Sequence, residues 1–128
     1  MTTTTTPREP LVRLGGSSVT EHLAGADTGG TSALLEFRVE PGYPLPPPHV
    51  HTHEDEISYV LEGELEVTVG GEARTVRAGD EPARFLEIIA PAGFDGYFRA
   101  LAKIVRETGD LDRDVAGRLM AEYGLRTV

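Results

Sequence analysis

Residues 46–63 read PPPHVHTHEDEISYVLEG, and three of the chain's four histidines, His49, His51 and His53, fall within five of these positions. In an extended chain, residues i and i+2 point the same way, so His49 and His51 present two imidazoles to one point on one face. Glu56, at the start of the next strand, can return a carboxylate to them. Two imidazoles and one carboxylate leave coordination positions open on a divalent first-row metal, and catalytic zinc accepts the same set. The preceding prolines stiffen the approach and reduce the ordering cost of binding. A blander reading is a solvated turn, in which Glu54-Asp55-Glu56 serves solubility and the histidines take up nickel adventitiously. The spacing favours the metal site. His22 has no such neighbours and reads as a surface histidine.

On either side of this stretch the pattern is that of strands. Leu35, Phe37 and Val39 alternate with Glu36 and Arg38 before Pro41-Gly42 stops the element. Glu56 to Leu61 is rich in β-branched and aromatic types, Glu62-Gly63 reads as a turn, and Leu65, Val67 and Val69 alternate with polar residues, which predicts a hairpin. Gly70-Gly71 is a two-residue turn signal leading into Ala73 to Arg77, and Ala83 to Ala90 predicts a further strand of the same meander. After Gly93 the apolar period changes to nearly four, with Phe94, Tyr97, Phe98, Leu101, Ile104 and Val105 on one helical face. Asp110 or Asp112 can cap a second helix carrying Leu111, Val115, Leu119 and Tyr123 on one side, with Gly124 just past its end. These stripes read as packing.

The chain has 128 residues, which fits one domain. Leu, Ile, Val and Phe supply a quarter of it, enough for a packed core. With 15 Gly and 9 Pro it turns often, so long helices cannot dominate. A net charge of −9 disfavours nucleic acid and anionic membrane surfaces as partners. No cysteine is present, so a metal must use His, Asp or Glu. Met1 to Pro10 has neither a basic nor an apolar segment of the signal-peptide kind, and no apolar run approaches the roughly 18 residues of a membrane span. A cytoplasmic protein is therefore expected. The organisation predicted is a disordered tail over residues 1–10, a β barrel over 11–93 and a helical extension over 94–128.

His49-Val50-His51, four further residues, Glu56, six more and Gly63 fit the motif H-x-H-x(3,4)-E-x(6)-G. This resembles the cupin superfamily, and the text from Pro46 to Gly71 looks like the small single-domain, quercetin-dioxygenase-like cupins (cupin 2 conserved barrel). The likeness covers residues 30–80, and Glu81 to Phe98 resembles the segment that closes the barrel in that group. The glycine opening the family motif would fall at Tyr43, one place after Gly42. The resemblance implies an all-β fold, a double-stranded β-helix or jelly roll, with C-terminal helices and with His49, His51 and Glu56 as metal ligands. The family's second motif, G-x(5)-P-x-G-x(2)-H-x(3)-N, should begin near Gly79-Asp80 and bring a fourth ligand, a histidine. Here Asp80 runs directly into Glu81-Pro82, and no histidine follows His53. Thr31 to Ala90 is also too short for eight strands of about five residues with loops. The jelly roll is thus expected to be incomplete, lacking roughly twenty residues, two strands, between Asp80 and Glu81.

For function, the resemblance implies a metal-binding cupin, a dioxygenase-like oxidoreductase if catalytic, acting on a small organic substrate in the barrel with one divalent transition metal: iron, manganese, nickel, copper or zinc. His53 is the candidate substitute for the absent fourth ligand. Tyr59 and Arg84 are candidate pocket residues, against the blander readings of a core tyrosine and a surface ion-pair arginine. Two readings from other classes stand beside it: a non-catalytic module that binds a small molecule or metal, and a degenerate cupin kept for association. Strand edges left open by the deletion invite pairing with another chain, so a homodimer is expected.

Overall fold

Along Ala83–Ala90 every second residue is buried: Ala83, Phe85, Glu87 and Ile89 point inward, while Arg84, Leu86 and Ile88 lie on the other face. The period of two is that of a strand with one covered face, and this strand organises the larger of two sheets. The structure, a computed structural model, describes residues 8–43, 49–70, 73–109 and 112–127, with the backbone alone for 69, 70 and 73–77. The Thr tract, the proline run 44–48, Gly71, Asp110 and Leu111 lie outside the described residues.

Nine strands, two α-helices and a short 3-10 helix at Gly25–Thr28 are present among the described residues: β1 (Val12–Leu14), β2 (Ser17–Leu23), β3 (Ala33–Val39), β4 (His49–His51), β5 (Asp55–Glu62), β6 (Leu65–Gly70), β7 (Ala73–Ala78), β8 (Ala83–Ala90), α1 (Asp95–Thr108), α2 (Arg113–Glu122) and β9 (Leu125–Thr127). One antiparallel sheet runs β1-β2-β3-β8-β5 and the other β6-β7-β4-β9. Their inner residues meet in the core, where Leu35 and Ile89 of the first sheet and Leu125 of the second are buried with Phe94, Tyr97 and Leu101. A smaller cluster joins Val39, Ala83 and Phe85 to Ala78. The fold is the mostly β, double-stranded β-helix type with C-terminal helices.

Several local expectations need correction. Gly63 does turn the chain, at φ +74, but β5 and β6 enter different sheets instead of forming a hairpin. A Cβ at Gly63 would strike the Pro82 carbonyl, so this is a corner packed against backbone, where glycine is needed for space as well as for its dihedral. The β6–β7 hairpin is real, with Gly70 opposite Ala73. β8 does not continue a meander from β7: after Gly79–Pro82 it crosses to the other sheet and inserts between β3 and β5. Its inner residues match those of β3, with Phe37 opposite Phe85 and their rings stacked at 5.1 Å. β1 and β2 had no counterpart in the sequence pattern, because Ser17–Leu23 is mostly polar.

The C-terminal helices form as the periodicity indicates. Gly109 ends α1 in the left-handed region at φ 76. Asp112 caps α2, accepting from the backbone N–H of Asp114 and Val115. Past Gly124, however, the extension is not helical: β9 returns to the second sheet and pairs with all three residues of β4.

Candidate metal centre and cavity

β4 is only three residues long and is held from both sides, His49 facing Arg74 of β7 and Thr127 of β9, and His51 facing Leu125. Alternation sends His49 and His51 to the same face. There they line a cavity of about 650 Å³ between the sheets, together with Glu56, Glu87 and several aromatic rings. Glu56 stands opposite Ile89 near the start of β5 and shares its inward face with Ser58.

His51 Nε2 lies 3.0 Å from Glu56 Oε1, and both side chains are almost covered, at 10% and 12% exposure. A carboxylate only accepts, so this imidazole nitrogen carries the proton. The His49 ring is 5.2 Å from that of His51, centre to centre and steeply inclined. Phe94 meets His51 edge-on at 4.6 Å and stacks on Tyr97 at 5.0 Å, with Phe98 against both. Burial pushes the Tyr97 hydroxyl up to about 12, so the ring stays neutral. Burial also raises Tyr43, another lining residue, against the opposing pull of Arg113.

The position of Phe94 depends on its neighbour Asp95, which is 1% exposed. The Asp95 carboxylate accepts from the backbone N–H of Gly25 at 2.9 Å and of Gly93 at 2.8 Å, and from Arg99 at 2.9 Å. Burial alone would raise its pKa, but the Gly25 N–H, Arg99 and the Gly93 N–H together hold it below the ordinary value. Arg99 in turn reaches Glu21 at 2.6 Å. The start of α1, and with it the aromatic wall beside His51, is fastened to the opposite end of the chain.

The residues fit a divalent metal in donor type and, for one pair, in spacing. Two neighbouring donors at about 2.1 Å from one octahedral ion are about 3.0 Å apart, the separation of His51 Nε2 and Glu56 Oε1, while tetrahedral zinc sets them about 3.4 Å apart. Ligation would displace the proton now shared between them. Among the described residues, no group of three His, Asp or Glu side chains is clustered closely enough to hold an ion as it stands. His51 and Glu56 are in contact and His49 stands beside them.

The other candidates lie elsewhere. His53 is exposed and its ring lies against Gly124, outside the cavity. Tyr59 is 65% exposed, on the face of β5 opposite Glu56, as a spacing of three along a strand requires. Arg84 is on the outer face of β8, paired with Glu62 at 3.0 Å and Glu36 at 3.5 Å. His22 joins that outer group through Glu36 at 3.1 Å. Tyr59 and Arg84 are therefore surface residues and not pocket residues. Among the cavity residues missed in the sequence is Glu87, 5% exposed and accepting from Ser58 Oγ at 2.6 Å. Its signal was its place midway between Phe85 and Ile89 on one face of β8.

Residues 35–89 match the family model described as Cupin domain. No match was found among curated proteins. Among solved structures the chain is similar to an uncharacterized conserved protein with a double-stranded beta-helix domain from Klebsiella pneumoniae, at 21% identity and a TM-score of 0.50, over 63% of this chain and 82% of that one. It is also similar to oxalate decarboxylase from Bacillus subtilis, at 20% identity and a TM-score of 0.47, over 94% of this chain but 39% of that one. The family match and the first of these likenesses show the fold. Among the described residues no helix is long and apolar enough to cross a membrane.

Proposed function

We propose that the protein is a metal-binding cupin whose cavity takes a small organic molecule, with His49, His51 and Glu56 holding one divalent transition metal. The observation that carries this reading is the covered His51–Glu56 contact at 3.0 Å on the wall of the cavity, with the second imidazole beside it. When bound, such a metal with open coordination positions supplies Lewis-acid or dioxygen chemistry. The chain's own contribution is to exclude water and hold the ligand: Phe94 and Tyr97 close one side of His51, and the carboxylates and imidazoles gather on the polar side. A dioxygenase-like oxidoreductase is the catalytic form of this reading.

The experiment is metal analysis together with oxygen uptake. Wild type loaded in turn with iron, manganese, nickel, copper and zinc is expected to retain one equivalent, and His51→Ala and Glu56→Gln to lose it. Steady dioxygen consumption with a panel of flavonoids, diketones and thiols, lost in His51→Ala, supports the oxygenase. Retention of metal without turnover of any of them supports instead a non-catalytic binding module. A wild type that retains no metal overturns both metal readings and leaves a metal-free small-molecule binding module or a degenerate domain kept for association.

The proposal extends to self-association. β5 is the terminal strand of its sheet, and Ile57 and Tyr59 on its outer face are 57% and 65% exposed. A second copy covering this margin would bury both, in a symmetric dimer.

A further inference from the structure

One helix of the C-terminal extension forms a wall of the cavity. Arg113, Ala116, Gly117, Met120 and Ala121 of α2, spaced by threes and fours as one helical face requires, all line it. Two tyrosines, Tyr43 and Tyr97, share that lining. Tyr97 is 4% exposed, yet its hydroxyl has no hydrogen-bond partner among the described residues. A buried tyrosine O–H usually finds a partner, and one left without costs stability. Arg113 is likewise without an ion pair among the described residues, whereas Arg38, the other arginine of the lining, is paired with Glu40 at 3.4 Å. The remaining walls are largely aromatic, with Phe37, Phe85, Phe94 and Phe98 on the same space, and rings of this kind favour a ring-bearing ligand. We propose that Arg113, Tyr97 and Tyr43 form an acid-binding end of the cavity, and that the cavity takes a ring-bearing carboxylic acid whose carboxylate accepts from the guanidinium and the two phenol hydroxyls.

The three groups agree in chemistry. A guanidinium only donates. Burial raises the Tyr43 hydroxyl against the pull of Arg113, and burial with Tyr43 nearby takes that of Tyr97 to about 12, so both phenols keep their hydrogens and can donate as well. A carboxylate only accepts, and its two oxygens match the planar fork of arginine. An ammonium would meet the Arg113 charge, and an uncharged amide would leave that charge uncompensated. Glu56 and Glu87, carboxyl groups of the same lining, have partners of their own in His51 at 3.0 Å and Ser58 at 2.6 Å. The backbone N–H groups of Asp114 and Val115 at the start of α2 take no part, because the Asp112 side chain already accepts from them. The inference deepens the proposed ligand-binding reading and rests on its cavity, but not on its metal.

The test is calorimetric titration of the full chain, with chelator present, using 2-naphthoate, 2-naphthamide and 2-naphthylmethylammonium as probes. Wild type is expected to bind 2-naphthoate about ten- to a hundredfold more tightly than 2-naphthamide, the range for hydrogen bonds to a charged group. In Arg113→Gln, at an exposed position outside the core, the ratio should fall to about one, because the charge that prefers the acid is gone. Tyr97→Phe keeps the ring and loses only the hydroxyl, and should lower the ratio by about three- to tenfold. A merely structural role for either residue would weaken acid and amide alike and leave the ratio where it was. An unchanged ratio in either variant, amide or ammonium bound by wild type as tightly as the acid, or no binding of any probe by wild type overturns the assignment. Manganese uptake measured on chelator-free samples separates the two proposals: a wild type that takes no manganese yet prefers naphthoate sinks the metal reading alone.

Discussion

β4 and β5 face one another across the cavity, the first with a strand on each side and the second at the margin of its sheet. β4 has three residues, too few to hold two imidazoles in place by themselves, and β9 brings a partner for each of them. β5 has eight residues and is held by β8 over nearly its whole length, which is enough hydrogen bonding to leave its far edge unused. The two strands teach that a short functional strand borrows rigidity from distant chain, while a long one can present its outer face to solvent. Thr52 strengthens the borrowed side, its backbone N–H and its hydroxyl both donating to the Gly124 carbonyl, at 3.1 and 2.7 Å.

The comparison can be broken most severely on the covered side, at Asp95. Asp95→Ala removes the acceptor of two backbone N–H groups and of Arg99 at a fully buried point, and should destabilise by about 3 to 5 kcal/mol in urea unfolding. A loss under 1 kcal/mol would mean that α1 holds its place without this anchor. The pH dependence has a definite sign. Because the folded-state pKa lies below the ordinary 3.8, the charged form is favoured by folding. Its contribution is complete above the ordinary value and disappears as the pH falls through the depressed one. The difference in Tm between wild type and Asp95→Asn should therefore be constant near neutrality and narrow below pH 3.8, and a difference that widens in acid contradicts this account.

Leu125 gives the next largest effect. It is 8% exposed and packs into the core from β9, so Leu125→Ala should cost about 2 to 3 kcal/mol and should also weaken metal retention, since the β4 register loses its support. Loss of stability with unchanged metal affinity would show that β7 alone positions the histidines.

Across the cavity itself, manganese at ten times its dissociation constant should stabilise wild type by about 1.4 kcal/mol, seen as a raised Tm that chelator reverses. His51→Ala should abolish the rise. Identical melting curves with and without metal would separate His51 and Glu56 from any ion.

The smallest stability effect is expected at the open margin. Replacing Ile57 and Tyr59 together by lysine should alter stability by no more than about 0.5 kcal/mol per site, because both project outward. The same change should convert the proposed dimer to monomer in light scattering after size exclusion. A wild type already monomeric at high concentration removes the second copy from β5.

Much of this was legible in residues 49 to 63. Alternation alone aligns His49 with His51, and Glu62-Gly63 marks a turn, though the strands it joins part into different sheets. The helical period after Gly93 and the cap at Asp112 are likewise local, since propensity, periodicity and capping act within a few residues. Strand pairing is different, because an edge joins whichever chain presents a matching face in space. The separation of β5 from β6, the insertion of β8 between β3 and β5, and the return of β9 to β4 are decided by burial of Phe85, Ile89 and Leu125 in one core. Polarity misled at Glu87, which reads as solvent-facing until both of its neighbours two residues away are known to be inside. Tyr59 stood open between pocket and core, and Arg84 between pocket and the surface ion pair it makes, until β8 lies beside β5 and fixes which face is in. The sequence by itself determined that His49 and His51 share one face of their strand; the tertiary structure alone decided that His51 meets Glu56 in the cavity, because contact between strands depends on the packing of residues far apart in the chain.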